Sequence, residues 1–172
     1  MTSVVDTYRA AVPAPLDPWD LVDPARFLHE LAAATPLLAG RSLLCQVSRP
    51  ATDQRLVAYT DAWPDGRPTD DREAQDQLED AMRRIGHRDG DFDDDVRLTS
   101  VVVTVVIRDG RAVPRGSDYD VVSVLRYANN PFQALWGDLI IVTPHGWLTE
   151  PDELAGRVPV AVLPPAPAAA IA

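Results

Sequence analysis

Residues 96–114 read VRLTSVVVTVVIRDGRAVP, and no other part of the chain limits the fold as much. Val101, Val102, Val103, Val105, Val106 and Ile107 branch at Cβ. Branching restricts their rotamers in a helix and favours extended backbone. The run has no polar alternation, which predicts a strand covered on both faces and therefore central in its sheet. Asp109-Gly110 follows at once. Both residues tolerate positive φ, so the spacing predicts a tight turn that returns the chain as a short partner strand, Arg111 to Val113.

Around this strand the apolar periodicity alternates between the two regular types. Asp23-Pro24 is an N-cap followed by proline at the first helical position, and Phe27, Leu28, Leu31 and Ala32 give a helix over 24–34 its apolar stripe. SLLCQVS (42–48) and RLVAYT (55–60) predict two strands joined by a hairpin loop. Thr69 is the expected cap of a helix over 70–85 with the stripe Ala74, Leu78, Ala81, Met82 and Ile85, closed by Gly86. Its outer face offers Glu79–Arg83 and Asp80–Arg84 pairs at four-residue spacing. Ser117-Asp118-Tyr119-Asp120 resembles a capping box opening a helix over 118–128, and Asn129-Asn130-Pro131 ends it. A helical turn is expected over 132–136. LIIVT (139–143), the turn Pro144-His145-Gly146 and WLT (147–149) predict a last hairpin, with a possible edge strand over 158–163.

This order predicts one α+β domain over 23–163. Its sheet is mixed or mostly antiparallel, is built from hairpins, and carries about three helices. Residues 1–22, with Pro13, Pro15 and Pro18, read as an irregular arm anchored by Trp19 and Leu21. Residues 164–172 read as a Pro/Ala tail.

Chemistry is constrained mostly by what is missing. All 16 basic residues are arginine, so the lysine of a P-loop, of a Schiff-base enzyme or of a protein kinase has no counterpart. Three dispersed histidines and the single Cys45 make no zinc spacing and no internal disulfide. Within a strand, Cys45 reads as a small buried hydrophobe. No apolar run has the roughly 20 residues of a membrane span, and the first residues lack the pattern of a secretory signal. A reducing, cytoplasmic setting is expected.

The net charge is −10, which disfavours direct nucleic-acid binding and anionic membranes. Residues 61–95 hold 13 of the 26 acids against 5 arginines. The expected function is therefore that of a non-catalytic acidic interaction protein, a regulator, assembly factor or component of a larger complex. Its expected partner is another protein with a basic surface, met by Asp76, Glu79 and Asp80 and by Asp89, Asp91, Asp93, Asp94 and Asp95. No cofactor is expected.

The alternative is a metal-dependent phosphohydrolase or nuclease. DGDFDDD (89–95) resembles the opening of an EF-hand loop, but Asp94 and Ser100 stand where that loop has glycine and glutamate. A phosphatase-type Asp-x-Asp over Asp93 and Asp95 should end a buried strand, and polar residues precede it. The carboxylates and imidazole available to a metal in this reading are Asp89, Asp91, Asp93, Asp138, His145 and Glu150.

Overall fold

The computed structural model describes residues 19–86, 100–150 and 154–156. Their order is α1 (Pro24–Ala34), β1 (Ser42–Ser48), β2 (Arg55–Asp61), α2 (Asp71–Arg84), β3 (Ser100–Ile107), α3 (Asp120–Ala128), β4 (Trp136–Thr143), β5 (Gly146–Glu150) and β6 (Ala155–Gly156), with a 3-10 turn at Gly116–Tyr119 before α3. The strands form one sheet in the order β2-β1-β3-β4-β5-β6. Every pair is antiparallel except β3–β4, which is parallel. The described residues thus form an α+β domain with three helices on a mixed six-stranded sheet.

All eight residues of β3 are buried, for the reason its composition implied. Alternate side chains leave a strand on opposite faces, and here both faces are covered. Val101, Val103, Val105 and Ile107 join Leu43, Cys45 and Val47 of β1 and Ile140 and Val142 of β4 under Phe27, Leu28 and Leu31 of α1. Val102 and Val106 join Leu44 and Leu139 under α2 and α3, which contribute Ala74, Leu78, Ala81 and Met82 and Val121, Val124, Leu125 and Ala128. One helix therefore covers one face and two cover the other.

The helix boundaries follow local chemistry. Asp23 accepts the N–H of Arg26 at 2.9 Å and starts α1. Asp70, not Thr69, accepts the N–H of Glu73 at 2.9 Å and starts α2 one residue later than the threonine implied. Gly86, at φ +96°, ends it.

The Asp109-Gly110 hairpin does not form. A turn is there, with Gly110 at φ +93°, but 111–113 form no strand, because both edges of β3 are already taken by β1 and β4. The loop instead wraps around Arg108. Its guanidinium donates to the carbonyls of Asp109, Arg111 and Val113 and makes a two-point pair with Asp118 at 2.6 and 2.8 Å. Asp118, 1% exposed, also accepts the Arg115 N–H at 2.8 Å. That use of Asp118 draws 116–119 into the 3-10 turn and starts α3 at Asp120, two residues later than the capping pattern implied.

Residues 131–135 also differ from expectation. They form no helical turn: Asn129 holds them through its side-chain bonds to Ala134 N–H and Ala134 carbonyl at 3.0 and 2.9 Å. Of the two expected anchors in the arm, Leu21 is buried and Trp19 is 42% exposed. The expected edge strand over 158–163 and the C-terminal tail lie outside the described residues.

Candidate functional site

The β3–β4 pairing contains a bulge. Val102 pairs with Trp136 and Thr104 with Leu139, so Gly137 and Asp138 together oppose Val103. The extra residue lets both Trp136 and Leu139 face α3, while the Cα of Gly137 is turned toward Val101 and Val103. A Cβ on Gly137 would lie 3.0 Å from the Trp19 carbonyl and 3.1 Å from Val101, so a side chain there would have to push these neighbours back by a few tenths of an ångström. The Asp138 carboxylate, in a residue 4% exposed, accepts the Leu21 N–H at 3.3 Å. The bulge thus fastens the segment entering α1 to the start of β4.

On the α3 side of the bulge lies a cavity of about 250 Å³. Val102 and Thr104 of β3, Val122 and Leu125 of α3, and Trp136 to Leu139 of β4 line it, with Tyr119 and Glu150 also on its wall. Tyr119 comes from the 3-10 turn and Glu150 from the end of β5, where it pairs in register with Leu139. Loss of hydration, then the charge of Glu150 and a hydrogen bond to it, then the charge of Asp118, raise the Tyr119 pKa. The phenol and the Glu150 carboxylate thus meet through a hydrogen bond on the cavity wall. Trp136 Nε1 is buried and has no hydrogen-bond partner among the described residues, a condition shared only with Trp147 Nε1 there.

Of the groups named for a metal, Asp138 and Glu150 border one cavity and His145 stands away from it. The Asp138 carboxylate also accepts the Leu21 N–H. His145 is exposed in the β4–β5 turn. Extended chain rises about 3.3 Å per residue, so His145 lies on the order of 20 Å from Asp138. No group of three or more His, Cys, Asp or Glu side chains among the described residues is arranged to hold a metal ion. Asp89, Asp91, Asp93, Asp94 and Asp95 lie outside the described residues.

Comparison with protein-family models, characterised proteins and solved structures found no match.

The acidic face of α2 is partly neutralised from within. Arg83 bridges both Glu79 at 3.6 Å and Asp80 at 2.9 Å. Arg84, which four-residue spacing assigns to Asp80, instead reaches Thr60 Oγ1 at 3.1 Å and the Asp61 carbonyl at 3.3 Å, closing the end of edge strand β2. Asp61 is paired with Arg41 at 2.7 Å, and its hydrogen bond is the main reason the Arg41 pKa rises. Asp76 is exposed on the outward face of α2, opposite the buried Ala74, Leu78, Ala81 and Met82.

Cys45 is buried in β1 and its burial pushes the thiol pKa far upward, so it is no nucleophile. His29 is exposed on α1. The cavity itself left no trace in the sequence. Its polar groups, Thr104, Tyr119, Trp136, Asp138 and Glu150, come from four elements, and no spacing rule relates them.

Proposed function

We propose that this protein works by binding another protein with a basic surface, through the acidic segment 61–95, and not by catalysis. The observation that carries this reading is the charge distribution: 13 acids against 5 arginines in 35 residues, beside near-balance in the rest of the chain. Folding does not call for such an excess, and self-repulsion opposes it. The orientation of α2 supports the reading. Its apolar stripe packs on the sheet, so Asp76 and Asp80 are left exposed and Glu79 half-buried at their side. Arg83 draws Glu79 and Asp80 together without cancelling both charges.

The setting belongs to the same proposal. A single buried cysteine needs no oxidising compartment, which fits a cytoplasmic protein acting within a larger complex. No helix among the described residues is long and apolar enough to cross a membrane.

The test replaces Asp76, Asp80, Asp91 and Asp94 by asparagine together. A partner is captured on the wild-type protein, identified by mass spectrometry and purified. Its association rate with both forms is then measured against salt. The expected result is slower association and a flatter salt dependence for the variant, because rim charges act mainly on encounter. A folded variant whose association rate and salt dependence match the wild type would refute the proposal.

A further inference from the structure

The α2/α3 face of the sheet is covered unevenly. The two helices lie over β2, β1 and β3, and the flank of α3 ends at Val122 and Leu125 beside β4. The 250 Å³ cavity occupies the gap that remains. An engineered apolar cavity of about 150 Å³ binds benzene, so this one accepts a larger ring, of bicyclic size.

Its walls sort by chemistry. Val102, Val122, Leu125, Trp136 and Leu139 are apolar, and Trp136 offers a ring face for stacking. The polar groups include Glu150 and Tyr119, both able to accept hydrogen bonds from a cation. Asp138 also lines the cavity, and its carboxylate accepts the Leu21 N–H at 3.3 Å. The charge presented to a ligand is therefore negative, and the overall charge of −10 also opposes an anion. An apolar cavity with a few convergent polar groups is the usual form of a small-molecule site.

We propose that this cavity binds a small aromatic amine, with its ring against Trp136, Val122 and Leu125 and its ammonium group on Glu150 and Tyr119. The ammonium donates to the Glu150 carboxylate and to the Tyr119 phenol oxygen, so ring and charge are read by separate parts of the wall. This site is distinct from the acidic face of α2, and either can fail without the other.

The experiment compares two probes of one shape and opposite charge, tryptamine and 3-indolepropionate. Binding is followed by calorimetry and by NMR signals of the Trp136 indole and the Val122 and Leu125 methyls. Tryptamine should saturate at concentrations up to about 10 mM and shift those signals, with 3-indolepropionate about tenfold weaker or more. Glu150→Gln should bring the two probes to similar affinity. Val122→Trp, which fills the cavity from its lip, should abolish tryptamine binding. Absence of saturable tryptamine binding to the wild type overturns the proposal, as do shifts that map away from these residues. A charge preference that survives in Glu150→Gln overturns the assignment of Glu150. If Val122→Trp does not fold, the wild-type probe pair and Glu150→Gln still decide.

Discussion

The loop between β3 and α3 should fail as a unit if Arg108 is removed. Arg108→Met keeps most of the apolar stem but deletes the guanidinium. Five hydrogen bonds go with it, two to Asp118 and three to the carbonyls of Asp109, Arg111 and Val113. The carbonyls belong to residues at the surface, and water can replace the lost donor at little cost. Asp118 cannot be served that way. At 1% exposure it would keep only the Arg115 N–H as partner. Breaking a buried pair by removing one partner costs about 3–5 kcal/mol, most of it from the stranded charge. Urea unfolding followed by circular dichroism should show the midpoint falling by that amount with an unchanged m-value. Asp118→Leu should cost a similar amount, because it strands the cation. Arg108→Met/Asp118→Leu should cost less than either single change, since no buried charge is left. Raising salt to about 0.5 M should not narrow these differences, as a buried pair is poorly screened. If Arg108→Met costs less than about 1 kcal/mol, or the double variant equals the sum of the singles, the pair does not organise this loop.

Three further outcomes are expected. Gly110→Val should destabilise by about 1 kcal/mol or more, because φ is +93° and a Cβ would meet Arg115 Nη2 at 2.5 Å; an unchanged urea midpoint would contradict that backbone. Cys45 should resist alkylation in the native protein and react fully in urea. Its folded pKa is raised by burial, so the unfolded thiol ionises first as pH rises. Cys45 should therefore contribute a loss of stability of about 1.4 kcal/mol per pH unit above the ordinary thiol value near 8.5, with no change below it, and Cys45→Ala should remove that component. Mg²⁺ or Ca²⁺ at about 10 mM should leave the melting temperature unmoved, because a specific site on the native state would raise it by mass action; an upward shift lost in Asp91→Asn/Asp93→Asn would revive the metal reading.

What the chain declares locally is the set of elements. The valine run of β3, the Asp23-Pro24 start of α1, the stripe of α2 and the Gly86 stop are each decided by side-chain branching, capping or period within one short segment. The burial of β3 on both faces was legible too, since an unbroken apolar run has no side fit for water. Pairing was not legible. Whether Asp109-Gly110 closes a hairpin depends on who already occupies the edges of β3, and β1 and β4 come from positions far along the chain. Asp118 has the same local signature whether it caps a helix or holds Arg108, and only the proximity of a buried guanidinium chooses. The bulge at Gly137-Asp138, which gives Asp138 the Leu21 N–H while it lines the same cavity as Glu150, follows from the β3–β4 register and from no local signal. The cavity exists because α3 ends its cover at Val122 and Leu125 while the sheet continues beyond. A space left between elements is a property of their packing, and no residue encodes it alone.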